Sequence, residues 1–275
     1  MSRGFVAVEK SGLRFYQIPS FTATGLVIHG FTTRNGGFSE FPYASLNTAL
    51  HVGDLDERVV ANRAKACEGL GINLEDLVTC QQEHTDAVHS VTEPDRGRGS
   101  KVYADAVPET DALVTNVAGI PLACCYADCA PVFLLDPVRR VVAVAHAGWK
   151  GTALKIGLKT VRKMTEQYGT VPSDCLAGIG PSIGPCCYEI DDSVAESFQA
   201  GFATETVLTK SSQPGKWFLN IWQANMTALL EAGLRNESIT MADLCTACGK
   251  EEFFSYRAEN EITGRMSSFI MLDQG

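Results

Sequence analysis

One stretch, residues 121–152, limits what this chain can build. It reads PLACCYADCAPVFLLDPVRRVVAVAHAGWKGT. An apolar run leads to Cys129, a second run of strand-formers meets the turn residues DPVR, and a third run ends in His146 before a glycine-rich turn. Apolar runs of this length, split by a turn, describe a buried β-hairpin rather than an amphipathic helix. A four-residue turn over residues 136–139 would set Leu135 opposite Arg140, and the constant pair sum would bring Cys129 opposite His146. Opposed residues on antiparallel strands have Cβ atoms about 4.5–5.5 Å apart, so this thiol and imidazole would be close enough to share one ion or one proton. Pro131 cannot donate to the ladder, which makes it the point where the pairing is expected to weaken.

At 275 residues the chain can bury a large core. Its hydrophobic fraction of 45% and charged fraction of 20% are those of a folded protein. The net charge of -9 speaks against a nucleic-acid surface, which is normally basic. Small molecules are the expected partners. The first residues contain no apolar signal segment, and no later run approaches the ~18 apolar residues of a membrane span. A soluble, cytoplasmic protein is therefore expected, with no membrane partner. In a reducing compartment the ten cysteines read as mostly buried thiols, with a minority free to act as ligands or nucleophiles.

Strand-like segments FVAVE, LRFYQI and TGLVIHG precede HGFTTRNGGFSEFPYASLN, a Gly- and Asn-rich loop around Arg34 and Asn47 that reads equally well as an anion site and as ordinary turn chemistry. Asp54 and Glu57 resemble a capping box for a helix ending at Gly71. Residues 77–79 read as a strand that delivers His84. The polar segment EPDRGRGSKVYADAVPETD is the candidate mobile loop or lid. After His146, AGWKGT enters a helix that stops at Gly169, and the amides of that turn, with Lys150, form a candidate anion cradle. GPSIGPCCYE reads as a rigid structural turn, Asp191 as a helix cap, and residues 217–232 as a further helix. No linker separates domains. The expected fold is α/β (α+β), one domain over residues 1–275, with a mixed β-sheet core flanked by helices.

His84, Cys129 and His146 are the candidate catalytic and metal-binding residues. Two imidazoles and a thiolate suit Zn²⁺, with Cu²⁺ able to replace it, and leave a fourth position open. A lone histidine is more often a satisfied structural residue, so the pairing of Cys129 with His146 is what raises the reading above background. The same pair fits a cysteine hydrolase or deamidase. Cys245 and Cys248 have the spacing of half a zinc site, but with no second CxxC they read as structural. The Cys186-Cys187 and Cys124-Cys125 doublets read as core residues beside tight turns.

Taken together, HGFTTRNGG, the Q-x-x-H around His84, YADCAPV, HAGWKGT, IGPSIGPCCYE, CTAC and FFSYR with TGR closely resemble the bacterial laccase-domain proteins, over roughly residues 29–265. That family was first described as multicopper polyphenol oxidases and later as purine nucleoside phosphorylases with adenosine deaminase activity. The resemblance implies metal ligation, usually of zinc, by His84, Cys129 and His146. It implies phosphorolysis of adenosine, inosine and S-methyl-5'-thioadenosine to free base and ribose 1-phosphate, with adenosine deamination beside it. Purine nucleosides and phosphate would be the partners. Arg34, Lys150 and Asn47 are the candidate substrate and phosphate contacts read from the residues themselves. Lys150 stands where the family usually has Arg in HAGWRGT, which keeps the charge and loses the planar fork. The general acid is open among Glu83, Asp128 and His89. A cell-wall editing role, also associated with relatives, is a further alternative. A four-copper oxidase needs a blue-copper site and a separate imidazole-rich cluster, which five histidines cannot furnish.

Overall fold

The computed structural model describes residues 4–274. In chain order its strands are β1 (Val6–Lys10), β2 (Leu13–Gln17), β3 (Val27–Thr32), β4 (Val88–Ser90), β5 (Ala112–Thr115), β6 (Leu122–Tyr126), β7 (Ala130–Asp136), β8 (Val141–Ala147), β9 (Leu176–Ile179), β10 (Glu189–Asp191), β11 (Leu208–Lys210), β12 (Lys216–Leu219), β13 (Ile239–Met241) and β14 (Met266–Leu272). They form three sheets among the described residues. One is five-stranded, in the order β1-β2-β3-β14-β6, and one six-stranded, β13-β9-β7-β8-β5-β4; β10-β12-β11 make a small third. The six-stranded sheet is mixed: β13 runs parallel to β9 and β4 to β5, while the central pairs are antiparallel.

Every residue of β7 and β8 is buried, because their sheet is covered on both faces. Phe133, Leu135, Val142 and Val144 pack against Phe31, Leu122, Tyr126 and Ile270 of the five-stranded sheet. Val132, Leu134, Ala143 and Ala145 pack with Ile156, Val161 and Met164 of the helix Ile156–Tyr168 and with Ala224 and Leu229 of the helix Ile221–Glu231. The far face of the five-stranded sheet meets Ala66, Cys67 and Leu70 of the helix Asp56–Leu70. Helix, sheet, sheet and helices are thus stacked, and alternation along each strand sends its side chains to two different cores. The mixed sheet flanked by helices is as expected; the sheet packed against it was not separable from the sequence.

The hairpin forms in a different register. Asp136 pairs with Val141, so Pro131, not Cys129, lies opposite His146. The Asp136 carboxylate accepts the amides of Val138 (2.9 Å) and Arg139 (3.0 Å), which caps the turn from within the strand and moves the loop to residues 137–140. Pro131 stays in the ladder. Other local expectations also shift. The helix Asp56–Leu70 has no side-chain cap at Leu55; Asp54 instead accepts from Ser39 and Asn47. Residues 77–79 contribute a single bridge, Val78 to Leu122. The segment read as a lid is stitched down, with Arg63 donating to the carbonyls of Gly99 and Ser100. Lys155, at φ 59°, breaks the helix after His146 into Trp149–Ala153 and Ile156–Tyr168. The last helix begins at Ile221, after β12, with Asn220 as its cap. Asp191 caps its helix as expected, accepting from Val194 N.

Candidate active site

Between β6 and β7 the chain crosses from one sheet to the other, through Ala127, Asp128 and Cys129. Asp128 takes the left-handed φ of 82°, and its carboxylate accepts Thr246 Oγ1 at 2.6 Å and Arg257 N at 2.7 Å. This crossing, rather than a hairpin pairing, carries Cys129 to His146, the penultimate residue of β8. His84 arrives from a loop at φ 59°, with its Nε2 at 3.8 Å from Cys129 Sγ. The rings of His84 and His146 stand 4.9 Å apart, nearly edge to face. One donor atom from each of the three residues lies within 4.8 Å of the others.

Asp111 organises this convergence. Fully buried, its carboxylate accepts His146 Nδ1 at 2.7 Å, the amides of Glu83 and His84 at 3.1 Å, and Thr85 through both N (2.7 Å) and Oγ1 (2.9 Å). One acid therefore fixes the tautomer of one histidine and the backbone of the other. Burial would raise its pKa, but His146 and the Thr85 donors hold it below the usual carboxylate range. Burial likewise opposes charge on Cys129, yet the imidazoles of His146 and His84 bring the thiol down to about 6. His146 moves the other way: burial disfavours its cation, and Cys129 with Asp111 carries it up to about 10. Both shifts favour a thiolate beside an imidazolium, a pair from which a cation would displace one proton.

The donor set fits a single zinc ion. Two nitrogens and a sulfur are at hand, the second nitrogen of His146 is engaged by a carboxylate, and the open side faces a cavity. Gly148 makes the approach possible, since a Cβ there would sit 2.7 Å from His84 Cδ2 and 3.1 Å from Cys129 Sγ. Gly148, in the turn read as an anion cradle, thus gives the donors clearance. Its Thr152 amide is taken by the Gly148 carbonyl at 2.8 Å.

Two adjoining cavities meet at His84 and Cys129. One, of about 370 Å³, is lined by His51, Gln82, His146 and Arg265. The other, of about 560 Å³, is lined by Trp149, Tyr188 and Arg257; Tyr256 borders both. Both volumes lie in the range of small-molecule sites.

Arg34 lines neither cavity. Its guanidinium is consumed by the carbonyls of Ala44 and Lys250 and by Glu259 Oε1, so its charge is spent holding loops together. Lys150 is exposed and stands over the Trp149 ring at 5.6 Å, a rim position. Asn47 is buried, and its Oδ1 accepts Arg265 N at 2.9 Å; it acts on the cavity by placing Arg265. Of the candidate acids, Asp128 is held by Thr246 and Arg257, His89 by Asp95, and Glu83 lies outside both linings. Asp111, His51 and Arg265 were missed from the sequence. An acid at the mouth of a buried strand was the available signal for Asp111, and the TGR motif for Arg265.

A family model described as multi-copper polyphenol oxidoreductase laccase matches residues 28–273. The chain belongs to that family. Purine nucleoside phosphorylase YlmD of Bacillus subtilis is 42% identical over 244 residues, covering 89% of this chain and 88% of the relative. Adenosine deaminase RL5, from an unknown prokaryotic organism, is 34% identical, covering 85% and 89%. The crystal structure of YlmD from Geobacillus stearothermophilus superimposes with a TM-score of 0.92 at 39% identity, covering 98% of this chain and all of that one. The laccase family's name does not describe the histidines found here. His29 accepts Ile18 N in the core and His89 pairs with Asp95, so among the described residues no metal-competent group holds more than two imidazoles.

Proposed function

We propose that this chain is a zinc-dependent purine nucleoside phosphorylase of one domain, acting in the cytoplasm. It would cleave adenosine, inosine and S-methyl-5'-thioadenosine with phosphate, and deaminate adenosine at the same centre. The observation that carries the reading is the convergence of His84, Cys129 and His146 where two ligand-sized cavities meet, in a chain whose relatives bear both names. Zinc in such a site supplies Lewis acidity. Asp111 keeps the proton on His146 Nδ1 and leaves Nε2 as the donor. Arg265 presents a planar fork suited to phosphate, and Asn47 sets its position. The aromatic faces of Trp149 and Tyr188 suit the purine, and with the base there the glycosidic bond would lie at the join of the cavities. Among the described residues no helix is long and apolar enough to cross a membrane.

The depressed Cys129 thiol favours a second reading, a cysteine nucleophile assisted by His146. Chelation and alkylation separate the two. Zinc content and phosphate-dependent release of base from adenosine are measured for the wild type and for Cys129→Ser. We expect the variant to lose turnover together with the zinc bound at His84, Cys129 and His146. Full turnover by a metal-free wild type that is abolished by thiol alkylation would establish the nucleophile instead.

A further inference from the structure

Four cysteines outside this centre converge on the surface. Cys186 and Cys187 follow the IGPSIGP turn, Cys245 and Cys248 belong to the CTAC segment, and all four sulfurs lie within 4.8 Å of one another. Cys248 Sγ is 3.4 Å from that of Cys187 and 3.6 Å from that of Cys186. Four Zn–S bonds of ~2.3 Å in a tetrahedron hold their sulfurs about 3.8 Å apart, so little movement separates the cluster from a closed site. A disulfide needs roughly 2.05 Å, and all four thiols are free. Their exposure is a second anomaly. Free cysteine is among the most buried residue types, yet Cys186 and Cys248 are exposed and Cys187 and Cys245 partly so. Neither core packing nor a disulfide accounts for them. The expectations that the doublet is core and that CTAC lacks a partner pair are both corrected here.

The surrounding backbone reaches one of the four sulfurs directly and holds the two loops together. Gly184 N donates to Cys245 Sγ at 3.2 Å, and the Cys248 amide also reaches that sulfur. A side chain at Gly184 would collide with Trp222 at 2.8 Å and press on Cys245 Cβ at 3.1 Å. The two loops are already stitched, Ser182 N to Leu244 O and Thr246 N to Ser182 O, each at 3.1 Å. The CTAC turn is closed by Gly249 N to Cys245 O at 2.9 Å.

We propose that Cys186, Cys187, Cys245 and Cys248 hold a second zinc ion in a closed, structural site. Binding forms four Zn–S bonds and releases the thiol protons to solvent. The ion braces the walls of the larger cavity, because Tyr188 directly follows Cys187, and Thr246 and Arg257 grip Asp128, the neighbour of Cys129. The site goes beyond the proposed activity and stands independently of it.

Zinc is counted in the full-length wild type, His84→Ala, Cys245→Ser and the double variant. We expect about two equivalents per chain in the wild type, about one in each single variant and none in the double, given one tetrahedral ion per site. Cobalt-substituted His84→Ala should show the intense charge-transfer absorption of a thiolate site, and its melting temperature should fall on chelation. If Cys245→Ser proves insoluble, His84→Ala still decides the matter, because it leaves all four thiols in place. A His84→Ala protein that carries no zinc and gives no thiolate–cobalt band overturns the proposal, as does a disulfide among the four cysteines in freshly purified protein. An ion retained in His84→Ala and lost in Cys245→Ser, in a wild type holding only one, would support this site and sink the His84–Cys129–His146 reading.

Discussion

Asp128 ties the two metal-competent clusters together, since it precedes Cys129 and accepts from Thr246 between Cys245 and Cys248, yet they are built differently. His84, Cys129 and His146 come from a loop, a crossing between sheets and a strand, and a fully buried carboxylate fixes the two histidines from behind. The four cysteines come as two close pairs on surface loops, steadied by backbone amides alone. The first arrangement offers three donors and an open side onto cavities; the second offers four and leaves no position over. By the usual division between open catalytic and closed structural zinc sites, the first is suited to chemistry and the second to holding loops. Backing, not donor type, distinguishes them. A carboxylate can tune a ligand, whereas an amide only favours its charge.

The sharpest break in that contrast is Asp111→Ala. It strips His146 of its partner and leaves three amides and the Thr85 hydroxyl without their acceptor. Removing one member of a buried, hydrogen-bonded ion pair costs about 3–5 kcal/mol. We expect that loss in urea unfolding, together with loss of zinc from the histidine site and of turnover, while the zinc held by the cysteines stays. Zinc analysis beside urea denaturation checks both parts. A variant that keeps its histidine-bound zinc would show that Asp111 is packing, not backing.

His29 tests whether the carboxylate, rather than burial, decides a histidine's charge. It is as buried as His146 but has only the amide of Ile18, at 2.8 Å, on its Nε2. Burial lowers its pKa to about 4, while that amide and Lys10 contribute less. The folded state therefore binds this proton less readily than the unfolded chain, where histidine titrates near 6.5. Stability from neutral His29 is complete above about pH 6.5 and is lost as the pH falls toward 4, on the order of 3 kcal/mol in all. The stability gap between the wild type and His29→Gln should narrow over that window, read from urea midpoints at pH 7 and pH 4.5. A gap independent of pH would mean that His29 is charged in the core.

Much of this was legible in the chain. The apolar runs of β6, β7 and β8 pointed to Cys129 and His146, because strand ends deliver side chains predictably; His84 joined them only by analogy, from a strand over residues 77–79 that is a single bridge in the fold. The register was not legible. A single Asp136 side chain caps the turn from inside the strand, and sequence patterns do not show which of two adjacent turns a carboxylate will choose. Asp111 escaped notice because its five donors come from residues 83–85 and 146, which only the tertiary fold assembles. The partner pair of CTAC escaped for the same reason. Cys186 and Cys187 are consecutive, which is not the spacing of a zinc half-site, and they meet Cys245 and Cys248 only once the Ser182 loop pairs with Thr246.

Gly148→Ala separates clearance from backing, since it leaves every Asp111 bond in place. The added methyl meets His84 Cδ2 at 2.7 Å and Cys129 Sγ at 3.1 Å, so a donor must move. Overpacking of this kind costs roughly 1–3 kcal/mol, and a donor displaced from its geometry weakens the ion's hold. We expect stability to fall less than in Asp111→Ala, and zinc to be lost selectively from the histidine site. Unchanged zinc with unchanged turnover would mean that the loop carrying His84 yields freely.

The smallest effect is expected at Lys150, and it bears on where the anion sits. The side chain is exposed, and its ammonium stands over Trp149 at 5.6 Å, a contact of about 0.5–1 kcal/mol at an exposed site. Arg265 lines the smaller cavity, and its guanidinium donates to the Thr263 and Gly264 carbonyls, which orients the fork while the backbone amide is held by Asn47. Lys150→Gln should therefore change the KM for phosphate by less than about fivefold, the equivalent of 1 kcal/mol, whereas Arg265→Lys, which keeps the charge and loses the fork, should raise it further. Steady-state kinetics at varied phosphate compare the two directly. If Lys150→Gln proves the more damaging, the anion belongs at the Trp149 rim, and Arg265 serves to shape the wall near Tyr256, whose ring lies 5.6 Å from its guanidinium carbon.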